Sequence, residues 1–253
     1  MGDFCGVHKS TAHRIIKKVT TSIAGLRRHI IKMPATPREI DKAKEAFYAI
    51  ARFPKVVGCI DCTHIKIQSP GGNEAERFRN RKGFFSVNVQ ACCDADMSIT
   101  NLVARWPGST HDQNIFSHSR LKGLLENDDL RGGIILGDSG YALKKYLLTP
   151  IRNPMGNYHK EYNKCHTKTR NVIERMFGIW KRRFPVLSIG LRLSLDMALR
   201  VIVACGVLHN LAILSNEDIP PIEIVHEIEA IDVEDDGNGN IRQPYIHHIN
   251  NLI

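Results

Sequence analysis

Lys55-Val56-Val57-Gly58-Cys59-Ile60-Asp61-Cys62-Thr63-His64 is a short, β-prone apolar run that stops at a carboxylate. An acid inside a core is strongly destabilising unless it is paired or bound to a cation. At the exposed end of a buried strand the same acid is a natural metal ligand, and Asp61 reads as one. What matters next is which other carboxylates the chain brings to it.

Downstream, Ile65 to Gln68 either extends this strand or begins a hairpin, and Ser69-Pro70-Gly71-Gly72-Asn73 breaks it. Phe84 to Cys93 and Ile99 to Trp106 read as a second and a third strand around the turn Asp94-Ala95-Asp96. Asp112 stands directly before a helix expected over Gln113 to Glu126. Gly133 to Leu136 is a fourth strand, running into Gly137-Asp138-Ser139-Gly140-Tyr141. Helices are expected over Lys168 to Arg183 and, more apolar, over Leu195 to Leu214. Strand, hairpin, helix, strand and helix in that order predict an α/β fold: a ribonuclease-H-like mixed sheet flanked by helices. Acids fall at the matching places, with Asp61 ending the first strand, Asp138 ending the fourth, and Glu174 on the helix that follows.

On that helix Ile173, Met176, Phe177 and Trp180 form an apolar face. Arg170, Glu174, Gly178 and Lys181 make a stripe along its border, with Gly178 leaving room for another backbone. Each acid also has an ordinary structural use. Asp112 suits a helix N-cap, Asp138 a turn that bonds its own backbone, and Glu174 a solvated helix surface.

The ends of the chain differ in character. Residues 1–54 form a helical segment in which Gly6-Val7-His8-Lys9-Ser10-Thr11 resembles the turn of a helix-turn-helix, with Ser10 as N-cap. Only five residues precede Gly6, so the motif is partial. A connector helix is expected over Glu39 to Arg52. Residues 55–216 form the main domain, and 217–253 an acidic, loosely ordered tail. The tail holds nine acids and one base, leaving 34 bases against 17 acids elsewhere, a net of +17. So basic a body suits a polyanion such as DNA or RNA. No apolar run is expected to reach the roughly 18–20 residues of a membrane span, and the N-terminus shows no secretory pattern. Seven irregularly spaced cysteines suggest a reducing compartment. Structural zinc at Cys59, Cys62 and His64 is a poor reading, because strand residues alternate faces and no second C-x-x-C pair exists.

Clustered carboxylates repel one another unless a cation neutralises them. Oxygen donors of this kind suit Mg²⁺ or Mn²⁺, and paired ions can activate water and stabilise a leaving oxygen at a phosphodiester. In that scheme Asp61 bridges, Asp138 and Glu174 each complete one ion's shell, and Asp112 is a further ligand or supports one. Arg77, Arg79, Lys82, Arg170 and Lys181 are candidates to hold a DNA backbone.

Five pieces in order carry a family resemblance: Gly58-Cys59-Ile60-Asp61-Cys62-Thr63-His64, Pro107-Gly108-Ser109-Thr110-His111-Asp112, Leu136-Gly137-Asp138-Ser139-Gly140-Tyr141, Asn171-Val172-Ile173-Glu174-Arg175-Met176-Phe177-Gly178 and Leu208-His209-Asn210. The chain resembles the PIF/Harbinger transposases and the nucleases derived from them. The resemblance implies a DDE-type endonuclease using a divalent metal held by Asp61, Asp112, Asp138 and Glu174. It also implies a Myb-like partner that supplies DNA binding and nuclear import, with the nucleus, and the cytoplasm second, as compartments. One departure is Cys62, where the family has glycine; a Cβ there would crowd the metal or change the turn. The alternative function is a catalytically inactive domesticated transposase, kept as a nuclear DNA- or chromatin-associated interaction protein.

Overall fold

The computed structural model describes residue 6 and residues 8–218; the acidic tail beyond 218 and the first five residues lie outside the described residues. The described elements run α1 (Lys9–Gly25), α2 (Arg27–Ile30), α3 (Pro37–Ala51), β1 (Val56–Lys66), a 3₁₀ turn (Ala75–Phe78), β2 (Ser86–Cys93), β3 (Ile99–Pro107), α4 (Asp112–Ser117), α5 (Arg120–Glu126), β4 (Ile134–Leu136), β5 (Leu147–Leu148), α6 (Gly156–Arg183), α7 (Val186–Ile189) and α8 (Leu195–Leu214). Five strands form one mixed sheet in the order β3-β2-β1-β4-β5. β1, β2 and β3 are antiparallel neighbours, whereas β4 and β5 run parallel to β1.

Both faces of the sheet are covered, so all eight residues of β2 are buried rather than alternating in and out. On one face Cys59, Val89, Ala91 and Leu136 pack against Ile173, Met176 and Trp180 of α6 and Ile202 of α8. On the other, Val57, Ile60, Cys92 and Ile135 meet Ile40 of α3, Phe116 of α4 and Leu121 and Leu125 of α5.

Several elements differ from their sequence expectation. β1 is one unbroken strand of eleven residues, so Asp61 does not end it. Its antiparallel pairing with β2 continues to Lys66, while its parallel pairing with β4 stops at Cys59–Leu136. Asp61 therefore lies just past the point where β1 loses one neighbour, which is what opens it to one side. The expected helix from Gln113 is two short ones, because the Ser119 hydroxyl accepts the Lys122 N–H and starts α5 afresh. α6 begins twelve residues earlier than its apolar pattern, in a polar stretch anchored by the buried Tyr162 and His166. β5 adds a short strand between β4 and α6 that the sequence pattern does not mark.

α8 is long and apolar enough to cross a membrane by length and composition, with a mean hydropathy of 1.9, contrary to the expectation from the sequence. It is instead a core helix, packed on β3 and α6 and covered by α1 and α2. At the N-terminus the helix-turn-helix is not confirmed. Gly6 does adopt a left-handed φ of 62°, but Ser10 lies inside α1, and the cap is His8, whose Nδ1 accepts the Ser10 N–H. The connector helix starts at Pro37 with a capping box, Thr36 accepting from Glu39 N and the Glu39 carboxylate accepting from Thr36 N.

The Leu208-His209-Asn210 motif works in this packing rather than at the acids. His209 is fully buried, its Nε2 bonded to the Met97 carbonyl at 3.0 Å. Burial pushes its imidazole from 6.5 down to about 4, opposed in part by that carbonyl. The folded state thus resists a proton that the unfolded chain takes up near pH 6.5. Stability from neutral His209 is complete above pH 6.5 and declines as pH falls toward about 4, by roughly 3 kcal/mol in all. Urea unfolding at pH 7 and pH 4.5 checks this: His209→Gln should remove about 2–3 kcal/mol of the wild-type pH dependence, and an unchanged dependence refutes it.

Candidate active site

Asp61 and Asp138 meet because of strand register. Cys59 pairs with Leu136 in the parallel ladder, so two residues further on both chains present an aspartate at the same level, beyond the ladder's end. The Asp61 carboxylate is 20% exposed. Its Oδ1 accepts the Cys62 N–H at 2.7 Å and its Oδ2 accepts Arg170 Nη1 at 3.1 Å. Burial pushes the carboxyl up to about 7. Arg170 opposes the rise, Asp138 adds to it, the Cys62 N–H opposes it, and Asp112 adds to it again.

Asp138 follows β4 in a tight turn. Its Oδ1 accepts the Gly140 N–H at 3.0 Å, so the expected turn chemistry is present. Burial raises its carboxyl, with Asp112 adding and Gly140 and Arg170 opposing. Asp112 is the first residue of α4 rather than its cap, which is His111. Its Oδ1 accepts Asn88 Nδ2 at 2.9 Å, and the same amide holds the Thr110 carbonyl at 2.8 Å. Gly108 lets this loop close: a Cβ there would stand 2.3 Å from Ser86 Oγ and 2.6 Å from the Phe78 carbonyl.

Glu174 is half exposed, at 51%, and is tied to Arg170 one turn before it on α6. The guanidinium of Arg170 thus joins Asp61 on β1 to Glu174 on α6. The arginine's own side chain is only 16% exposed, so it does not present its charge to solvent as a free DNA contact, contrary to expectation. Burial alone would lower its pKa, but Asp61, Glu174 and Asp138 together raise it. Two turns beyond Glu174, Lys181 donates to Thr63 Oγ1 at 2.6 Å, and burial lowers its pKa. The stripe read from the sequence therefore does face β1.

Gly178 behaves otherwise. A Cβ there meets nothing within 4 Å, so it leaves open space above the stripe rather than admitting a neighbouring backbone. Gly178→Ala should raise stability by about 0.5–1 kcal/mol through helix propensity alone, read from urea midpoints. A loss would mean the space is filled.

Cys62 does not bend the strand, and its thiol lies toward Asp112 rather than Asp61. Its side chain points to the opposite sheet face, with Sγ 3.4 Å from Tyr141 Oη, and only its N–H touches Asp61. The basic side chains between residues 77 and 82 divide. Arg77 and Arg79 are tied to Glu74 and Glu76, and Arg79 also lies over the Phe85 ring. Arg81, Lys82 and Lys181 all bear on His64, whose Nδ1 is 3.0 Å from Ser86 Oγ. Arg81, which contacts His111 through Nη2 at 2.7 Å, was not among the expected phosphate contacts. Asn88 was also missed, although the polar alternation Ser86, Asn88, Gln90 within a buried strand was its signal.

Among the described residues no three His, Cys, Asp or Glu side chains stand in a geometry ready to hold a metal ion. The expected four-acid cluster is not assembled as such, because Arg170 lies between two of its members. The donors nonetheless fit a hard divalent cation. They are carboxylate oxygens brought together from β1 and from the turn after β4, which is the donor chemistry such an ion takes.

Comparison with known proteins gives the family. Residues 60–210 match the family described as DDE superfamily endonuclease. The chain belongs to that family. The human protein named "Putative nuclease HARBI1" is 31% identical over 250 residues, covering 93% of this chain and 71% of the relative. The Arabidopsis thaliana "Protein ALP1-like" is 29% identical over 231 residues, covering 84% of this chain and 56% of the relative. No solved structure matches the chain. The resemblance to Harbinger transposase-derived nucleases is thereby borne out, and the matched span contains Asp61, Asp112, Asp138 and Glu174.

Proposed function

We propose that this chain is a transposase-derived endonuclease that hydrolyses DNA phosphodiester bonds with a divalent cation, Mg²⁺ or Mn²⁺, on a ribonuclease-H-like sheet spanning residues 55–216. The observation that carries this is the register that sets Asp61 beside Asp138 at the end of the β1–β4 ladder, with Glu174 joined to Asp61 through one side chain.

Asp61, Asp138 and Glu174 would hold the cation, with Asp112 completing or supporting the set. When bound, it supplies Lewis-acid activation of a water and neutralises charge at the phosphate. The protein's own groups do the positioning. Asn88 aims one oxygen of Asp112, and the Gly140 N–H one oxygen of Asp138. Lys181, steadied by Thr63, and Arg81 and Lys82 across His64 form a basic rim for the DNA backbone. Arg77 and Arg79, already tied to glutamates, are outlying members of that surface. The space over Gly178 leaves the approach open.

From the family we also take a Myb-like partner that brings DNA and nuclear import, and residence in the nucleus with the cytoplasm second. A plasmid-nicking assay with Mg²⁺ or Mn²⁺ tests the activity: wild type should nick, and Asp61→Asn and Glu174→Gln should not. Nicking indifferent to both substitutions would overturn the assignment.

A further inference from the structure

Arg170 touches two of the four acids, Asp61 and Glu174. The acids are not held alike. Asp138 and Asp112 each give one oxygen to a neutral donor, the Gly140 N–H and the Asn88 amide, and a neutral donor can stay in place when a cation arrives. Asp61 has both oxygens engaged, Oδ1 by the neutral Cys62 N–H and Oδ2 by a guanidinium. Glu174 is engaged by the other arm of that guanidinium. A positive charge in contact with a ligand oxygen repels an incoming cation, the more so where solvent is scarce, and this pair is 16% and 20% exposed.

We propose that Arg170 is an internal counter-cation, and that Asp61 accepts a divalent ion only in exchange for its contact with this guanidinium. The proposal rests on the assignment of Asp61 and Glu174 as metal ligands. It adds that the guanidinium acts as a latch on Asp61 and that metal affinity is set by the cost of releasing it.

The two arms differ in strength. The Asp61 arm is sheltered and bridges α6 to β1, so it ties two elements together. The Glu174 arm joins neighbours on one helix, and its carboxylate is 51% exposed, so solvent screens it. Release should therefore start from Glu174, leaving the Asp61 contact as the decisive step. A planar fork is what permits one cation to span both carboxylates. Lysine at this position keeps the charge and loses the second arm.

The test follows Mn²⁺ binding by the electron paramagnetic resonance of free Mn²⁺, in wild type, Arg170→Gln, Arg170→Lys and Asp61→Asn. Arg170→Gln should bind about tenfold more tightly than wild type, Arg170→Lys should fall between them, and Asp61→Asn should lose binding. Equal or weaker binding by Arg170→Gln, with binding still lost in Asp61→Asn, overturns the latch and leaves the ligand assignment standing. Binding unaffected by Asp61→Asn, or absent from every variant, removes the ligand assignment and the latch with it. A second measurement needs no variant and so survives a misfolded Arg170→Gln. In arginine-labelled wild type the Arg170 guanidinium signals should change from restricted to free rotation on saturation with diamagnetic Mg²⁺. Signals that stay restricted overturn the exchange.

Discussion

Asp61→Asn is expected to lower metal-dependent nicking by about 10³-fold or more while changing folding stability by no more than about 1 kcal/mol. The loss of activity follows from the loss of a charged ligand at the position common to both acid pairs. A neutral amide oxygen is a poor replacement for a carboxylate toward a hard cation, and several kcal/mol of barrier correspond to about three powers of ten. The small effect on stability follows from compensation. Asparagine gives up the Arg170 pair but also removes a buried charge that Asp138 and Asp112 oppose. Its amide oxygen can still accept the Cys62 N–H, and Arg170 keeps Glu174. Initial nicking rates and urea unfolding on the same preparation check both halves. A large loss of stability would mean that Asp61 is chiefly structural.

The second large effect is on folding. Asn210→Ala should cost about 3–5 kcal/mol, measured by urea unfolding. Asn210 is 4% exposed, and its amide makes three bonds. Its Oδ1 accepts the Ile99 N–H at 2.8 Å, and its Nδ2 donates to the Ile99 carbonyl at 2.7 Å and the Ile30 carbonyl at 3.2 Å. One side chain thus closes the start of β3 and the end of α2 onto α8. Alanine leaves buried backbone groups unpaired, each costing about 1–3 kcal/mol. A cost below about 1 kcal/mol would mean that water enters and replaces the amide. The Leu208-His209-Asn210 piece of the family signature is on this account a packing device, not part of the acid site.

Particular residues show where the chain was legible. The strands around Val56, Val87, Ile99 and Ile135 and the whole of α8 were readable because burial demands continuous apolar or β-branched runs there. The N-terminal turns of α6 were not, since Gly156 to Thr167 is polar and is helical only because Tyr162 and His166 are drawn into the core. The extent of β1 past Asp61 was equally hidden. It depends on β2 outlasting β4 as a pairing partner, a property of neighbouring strands.

From its residues alone the chain determined a mixed sheet flanked by helices, an acid on the first strand, one after the fourth and one on the following helix, and the helix stripe that carries Arg170, Glu174 and Lys181. These are local: hydrophobic period, turn chemistry and spacing decide them within a few residues. Only the tertiary structure decided that Arg170 turns inward to join Asp61 to Glu174, that Asn88 aims Asp112, and that the Cys62 thiol turns away from Asp61 toward Tyr141. Those outcomes depend on register between strands and on which charges share a desolvated space, and charges far apart along the chain come to share one only when the packing is complete.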